Sequence, residues 1–214
     1  RVTVPDRSGK RKPRTPRGLA PRLGYYFIVT ETKKTEKNYL LGLRDAIPKE
    51  LQRQLTIHVE NAPTEKLVEK ALEAAGLHSQ YGEIWIVFDR DRVTDFDQII
   101  QEAEAHGIHV AWSNPCIEVW FSAYWGNMLS APESKDCCSQ FSAAYERKVG
   151  QEYDKAEDAI YAKLCGSGSE ADAIQRAERR LQAHLENGQS IPSKMIPCTT
   201  LHRLVQEIRR KIPA

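Results

Sequence analysis

The fold is decided by residues 83–91, which run Glu83-Ile84-Trp85-Ile86-Val87-Phe88-Asp89-Arg90-Asp91. Five apolar residues, β-branched and aromatic in character, stand together here and end at two aspartates. Such an uninterrupted apolar run predicts a strand that is buried on both faces, as the strands of parallel sheets are. The segment therefore predicts an α/β fold with acidic side chains at the carboxyl end of one strand.

Residues 25–31, Tyr25-Tyr26-Phe27-Ile28-Val29-Thr30-Glu31, repeat this construction, and Glu36 follows shortly after. If the two strands are neighbours, Glu31, Glu36, Asp89 and Asp91 meet at the carboxyl edge, where open α/β sheets bind ligands. Two carboxylates about 4 Å apart repel by roughly 4 kcal/mol at an effective dielectric constant near 20, so a proton or a cation must intervene. Oxygen ligands without Cys or His suit Mg²⁺ or Mn²⁺. The sequence therefore predicts a hard divalent cation and chemistry on phosphates.

Strand and helix patterns alternate through the first half of the chain and predict β-α-β-α-β-α-β. This order predicts a mostly parallel four-stranded sheet flanked by helices. These elements are predicted at 25–30, 35–46, 55–59, 63–75, 84–88, 95–105 and 108–112. Helices alone follow, at 115–125, 134–148, 154–164, 170–186 and from Thr199 or Thr200 onward. The apolar stripe of the last helix is explained by core packing, with an oligomer interface as the alternative.

The chain divides into a tail (1–24), an α/β core (25–114) and a helical region packed on the core (115–214). The tail holds eight Lys or Arg against one Asp and carries +7, so the remainder carries −5 of the overall +2. This composition predicts a disordered leader or a basic arm that touches nucleic-acid phosphates.

Bulk composition excludes several classes of protein. No apolar run approaches the roughly 20 residues of a membrane span, which predicts that no membrane is involved. Five cysteines without a Cys-x-x-Cys pair argue against a disulfide framework and a zinc site, and they favour a reducing cytoplasm.

Six segments together resemble the RloB family of bacterial defence-associated proteins, within the Toprim-type superfamily of OLD-like nucleases. They are residues 28–31, 34–40, 87–91, 112–121, 153–155 and 197–205. The resemblance implies a Toprim-like fold that holds divalent metal on Glu31 and on Asp89 and Asp91. It also implies antiviral defence, including abortive infection, and an ATPase partner from a defence operon. ATP hydrolysis would come from another chain, because this one has no Gly-x-x-x-x-Gly-Lys-Ser/Thr motif.

Each acidic candidate has a competing structural explanation. Glu31 is a general acid/base or metal ligand, although an acid after a strand is often a helix cap. Asp89 and Asp91 hold metal if the chain turns between them, or merely form a turn. Glu36 is a metal ligand or an acid stabilised by its helix dipole. Glu118, in an apolar helix, needs a partner, which is either a second metal or an arginine.

The basic and polar candidates are weaker. Lys155 is a cation for the transferring phosphate, and thus a catalytic residue, or a solvated lysine. Ser113 and Asn114 bind phosphate or form the turn before Pro115. The residues predicted to contact nucleic acid are Lys33, Lys34, Arg90, Arg92, Ser113 and Asn114.

The function these features predict is that of a Mg²⁺- or Mn²⁺-dependent phosphodiesterase, an endonuclease acting on DNA or on RNA such as tRNA. The alternative is a non-cleaving Toprim-type module that binds nucleic acid or nucleotide and works with a partner protein. Thr32 favours that alternative, because the family usually has glycine there and glycine lets the backbone approach a phosphate closely. A nucleotidyl transferase shares the acids, but no template-binding module is visible.

Overall fold

The computed structural model describes residues 23–31, 34–78 and 82–212. The basic tail up to residue 22, Thr32 and Lys33 lie outside these residues. The strands are β1 Gly24–Thr30, β2 Leu55–Asn61, β3 Glu83–Asp89, β4 His109–Asn114 and β5 Cys198–Thr199. The helices are α1 Lys34–Asp45, α2 Leu67–His78, α3 Phe96–Ala105, α4 Glu118–Ser122, α5 Ser134–Val149, α6 Ile160–Ser167, α7 Glu170–Glu186 and α8 Leu201–Arg210. Among the described residues, no helix combines the length and apolar character that a membrane crossing requires.

The strands form one mixed sheet in the order β2-β1-β3-β4-β5. The first four are parallel, and β5 pairs antiparallel with β4. The predicted α/β fold with a mostly parallel sheet is therefore confirmed, but the sheet has five strands where four were predicted. The fifth was missed because two residues carry no periodicity from which a strand could be recognised.

The sheet is covered on both faces, as the continuous apolar runs of β1 and β3 require. One face packs α2 and α3 against side chains such as Val29 and Phe88. The other packs α1, α4 and α8 against side chains such as Ile28 and Val87. Because α1 and α2 lie on opposite faces, the sheet has a switch point between β1 and β3, where a crevice forms at the carboxyl ends of the strands.

Several predicted boundaries differ from the observed ones for local reasons. Helix α6 begins at residue 160, and not at 154, because Asp154 accepts the backbone N–H of Ala156 and turns the chain before the helix starts. Helix α2 does not end at Gly76, as predicted, but continues to residue 78. The helix predicted over 115–125 is regular only over 118–122. The apolar stripe of α8 is fully buried, which confirms core packing for that helix.

Candidate metal centre

A cleft of about 430 Å³ opens at the carboxyl edge of the sheet, between α1, α4 and α5. Carboxylates, thiols, two hydroxyls and three cations line it. The residues are Thr35, Glu36, Asp89, Asp91, Arg92, Cys116, Ile117, Glu118, Ser134, Lys135, Cys138 and Lys155. Because Glu36 follows β1 and Asp89 ends β3, the cleft lies at the carboxyl ends of the two strands that flank the switch point.

Asp89 lies at the centre of the acidic cluster. It ends β3, its carboxylate is buried, and its Oδ2 accepts the backbone N–H of Ile117 at 3.1 Å. Burial raises the pKa of Asp89 well above its usual value, and the charges of Glu36, Glu118 and Glu31 raise it further. Asp89 is therefore close enough to Glu31, Glu36 and Glu118 for the charge of each to act on it.

Glu31 and Glu36 come from the segment that follows β1. Glu31 is 5 % exposed, and its Oε1 accepts a hydrogen bond from the hydroxyl of Thr64. Within the described part of the chain, its buried Oε2 has no hydrogen-bond partner. Glu36, in the first turn of α1, is also buried and interacts with Asp89. A helix dipole alone explains an acidic residue exposed at the surface, but it does not explain why Glu36 is buried beside another carboxylate.

Asp91 lies in a turn, as joint ligation with Asp89 requires. Its φ is +32°, in the left-handed region that few residues other than glycine adopt, and its N–H donates to the carbonyl of Pro115 at 2.9 Å. Asp89 and Asp91 both line the cleft as a result. A non-glycine residue held in this conformation is a strained position of the kind that clusters at functional sites.

Within the described part of the chain, Glu118 is held by a tyrosine and a lysine, and not by an arginine. Tyr153 donates its hydroxyl to Glu118 Oε1 at 3.1 Å, and Lys155 Nζ lies 3.6 Å from the same oxygen. Partial burial lowers the pKa of Lys155, but the charge of Glu118 and the nearby Cys138 and Cys116 together outweigh burial, so the pKa is raised overall. Lys155 stays a cation, and its side chain remains 61 % exposed toward the cleft.

The loop that carries Lys155 is fastened to α1. The hydroxyl of Thr35 donates to the carbonyl of Lys155 at 2.8 Å, and the amide of Asn38 donates to the carbonyls of Ala156 and Glu157. Thr35 therefore positions the loop. The same helix turn thus supplies Glu36 and places Lys155 opposite it.

Two thiols also reach the cleft, which sequence spacing did not reveal. The sulfur atoms of Cys116 and Cys138 lie 4.0 Å apart, although the residues are 22 positions apart in the chain. Ligand atoms of Cys116, Cys138 and Glu118 all lie within 4.8 Å of one another and could hold a metal ion. Ser134 and Lys135 were missed as well, since no motif marks them. Tyr153 lies in a segment that carries the family resemblance, but no role was predicted for it.

Some predicted residues are not brought to the cleft. Ser113 and Asn114 are buried and bonded inward: Ser113 shares a hydrogen bond with Thr199, and the Asn114 amide donates to the carbonyl of Pro192. Lys34 is exposed at the start of α1, and Arg90 is half-buried beside the cleft wall. Arg92 does line the cleft, whereas the predicted contact of Lys33 lies outside the described residues.

The donor set fits a divalent cation. Buried carboxylates that together raise the pKa of Asp89, and an orphaned oxygen on Glu31, are the environment that a cation would neutralise. Glu31, Glu36, Asp89, Asp91 and Glu118 are the residues that would hold it, and carboxylate oxygens suit a hard ion.

Comparison with known proteins gives one match. Neither a curated protein nor a solved structure matches the chain. A family model described as "RloB-like protein" matches residues 26–208, from β1 to α8, and so spans every element that contributes to the cleft. The chain belongs to the RloB-like family.

Proposed function

We propose that the protein is a Mg²⁺- or Mn²⁺-dependent phosphodiesterase, a nuclease that acts in bacterial antiviral defence. One observation carries this proposal: four buried carboxylates converge at the carboxyl edge of the sheet, and three of them raise the pKa of the fourth. Glu31, Glu36 and Glu118 raise the pKa of Asp89. Negative charge crowded into one buried site is stabilised either by a proton on one carboxylate or by a bound cation, and a cation neutralises more of it at neutral pH. The resemblance to Toprim-type nucleases supports the same reaction class.

The carboxylates would divide into two groups around the cleft. Glu31, Asp89 and Asp91 follow β1 and β3, and Glu36 and Glu118 face them from helices α1 and α4. Bound divalent metal supplies an activated water and a charge that stabilises the leaving oxygen of a phosphodiester. Glu31, with one oxygen fixed by Thr64, is positioned to accept a proton on the other.

Cations around the cleft would bind the substrate. Lys155, charged and partly exposed, is positioned to stabilise the negative charge that develops on a transferring phosphate. Arg92 and Lys135 line the same cleft and would contact neighbouring phosphates, which fixes the nucleic-acid backbone without reading sequence. Lys33, Lys34 and Arg90 would extend this contact. Ser113 and Asn114 are bonded within the protein and have no part in it.

The substrate class is a nucleic acid, either a host RNA such as tRNA or invading DNA. The tail of residues 1–24, with its charge of +7, would add phosphate contacts that depend on salt. An ATPase partner is a further proposal that rests on the family resemblance. Self-association was predicted only as an alternative role for the apolar stripe of α8, which is buried in the core.

A second function is a module that binds nucleic acid or nucleotide with metal and does not cleave it. Thr32 favours it, because a side chain directly after Glu31 hinders close approach of the backbone to a phosphate.

One experiment separates the two functions. The purified chain is incubated with labelled tRNA, single-stranded DNA and duplex DNA in Mg²⁺, Mn²⁺ or EDTA, beside Asp89→Asn and the control Asp95→Asn, whose exposed side chain caps no backbone group. We expect metal-dependent cleavage that Asp89→Asn loses by about 10³-fold or more and Asp95→Asn retains. Metal-dependent binding of one of these nucleic acids without its cleavage would favour the binding module. Full cleavage by Asp89→Asn would refute the metal assignment.

A further inference from the structure

The thiol pair in the cleft has chemistry that the carboxylate centre does not use. Cys116 lies in the turn between β4 and α4, and Cys138 lies on α5. Both line the cleft, as does Glu118, and Cys138 is only partly buried. Two sulfur donors and one carboxylate therefore face a space that an ion can enter from solvent.

The spacing of these atoms is close to that of a tetrahedral metal site. With Zn–S bonds of about 2.3 Å, tetrahedral angles place two sulfur ligands about 3.8 Å apart. The observed separation of Cys116 and Cys138 is 4.0 Å. With a Zn–O bond of about 2.0 Å, sulfur and oxygen ligands lie about 3.5 Å apart, and the Glu118 oxygen lies within 4.8 Å of both sulfurs. Side-chain movements of about 1 Å would complete the site.

We propose that Cys116, Cys138 and Glu118 bind a thiophilic divalent cation, Zn²⁺, in a second site beside the carboxylate centre. Thiolates select Zn²⁺ over Mg²⁺, because soft sulfur ligands bind borderline-soft ions and a hard ion prefers oxygen. Binding displaces the proton of each thiol, which is released to solvent. Three protein ligands leave the fourth position open toward the cleft, for water or a phosphate oxygen.

The two sites share Glu118. Zn²⁺ on this carboxylate replaces Lys155 as its nearest cation, since Lys155 Nζ now lies 3.6 Å from Glu118 Oε1. Occupation of the thiol site therefore frees the Lys155 amine and removes one ligand from the hard cation. Zn²⁺ and Mg²⁺ are thus expected to compete through Glu118, whereas Asp89 belongs to the carboxylate centre alone.

Cobalt provides a direct readout, because Co²⁺ occupies zinc sites and its bonds to thiolates give an intense charge-transfer absorption. The full chain, reduced with a phosphine and freed of metal, is titrated with Co²⁺ and then with Zn²⁺ or Mg²⁺. We expect the charge-transfer absorption to saturate at one Co²⁺ per chain. Zn²⁺ should abolish it, and Mg²⁺ should not.

Three variants locate the site. Cys138→Ser should lose the absorption and weaken Co²⁺ binding by more than about 100-fold. Removing a residue that only orients a metal ligand weakens binding by about 10- to 100-fold, and removing the ligand itself should weaken it more. Cys165→Ser is the matched control, since Cys165 is exposed and lines no part of the cleft. Asp89→Asn should keep the absorption, which separates this site from the carboxylate centre. Far-UV circular dichroism checks that each variant is folded.

Two results would overturn the proposal. One is a wild-type chain that binds Co²⁺ without thiolate absorption, or not at all. The other is an absorption that survives in Cys138→Ser or disappears in Cys165→Ser. None of these results depends on whether the chain cleaves nucleic acid.

Discussion

Replacing Asp89 by asparagine should stabilise the metal-free protein, although most substitutions of buried residues destabilise. Asparagine keeps the shape of the side chain and an oxygen that can accept the Ile117 N–H. It removes the charge that Glu36, Glu118 and Glu31 repel. A single charged carboxylate about 4 Å away costs roughly 4 kcal/mol at an effective dielectric constant near 20. Since proton uptake by Asp89 relieves part of this, we expect a gain of about 2 kcal/mol in the free energy of unfolding.

The effect has a pH dependence of known sign. Because the folded-state pKa of Asp89 lies above its usual 3.8, the folded chain holds more protons than the unfolded chain between the two values. The contribution of this group to stability is therefore largest below the unfolded pKa and is lost as pH rises toward the folded pKa. The advantage of Asp89→Asn over wild type should grow over the same interval.

Urea unfolding, followed by circular dichroism in EDTA and in saturating Mg²⁺, measures both effects. Wild type should gain about 2.7 kcal/mol when Mg²⁺ is present at a hundred times its dissociation constant, and Asp89→Asn should gain little. The control Asp95→Asn, at an exposed position, should match wild type within about 0.5 kcal/mol. The reasoning is refuted if Asp89→Asn is less stable than wild type in EDTA at pH 8 and both gain equally from Mg²⁺.

Three further predictions concern packing and the cleft loop. Gly168→Ala should lower thermal stability by about 1–3 kcal/mol, because its Cβ would lie 2.6 Å from the carbonyl oxygen of Tyr124. Gly166→Ala, with no atom within 4 Å of the new Cβ, should cost nothing in the same melting experiment. Lys155→Gln should slow cleavage by about 100-fold or more while Mn²⁺ affinity is kept, and equal losses of both would contradict its proposed role. Thr35→Val removes the hydrogen bond that holds the loop. Faster hydrogen exchange confined to residues 154–159 is expected, and unchanged exchange there would refute the positioning role.

The sheet and its acidic edge could be predicted because their signals are local. The apolar runs of β1 and β3 are continuous, and the carboxylates follow directly where each run ends. Glu118 was recognised because a charge inside an apolar helix requires a partner. In each case the prediction depends on a few residues that are adjacent in the sequence.

The remaining features depend on contacts between distant parts of the chain. Cys116 and Cys138 are 22 residues apart and meet only because α5 packs on α4, so the spacing rule that argued against a zinc site could not detect them. Lys155 owes its position to a hydrogen bond from Thr35, 120 residues earlier. Gly168 is packed tightly against the backbone of Tyr124, 44 residues earlier, and no neighbouring residue in the sequence indicates this contact.

The central claim is that the buried carboxylates form a divalent-metal centre, and the most direct test counts bound Mn²⁺. Free Mn²⁺ gives a sharp electron paramagnetic resonance signal that diminishes when the ion binds, so titration of the wild-type chain, Asp89→Asn and Asp95→Asn gives affinity and stoichiometry. The account predicts that wild type and Asp95→Asn bind Mn²⁺ alike and that Asp89→Asn binds it at least about tenfold more weakly. Equal binding by all three proteins, or none by wild type, would contradict it.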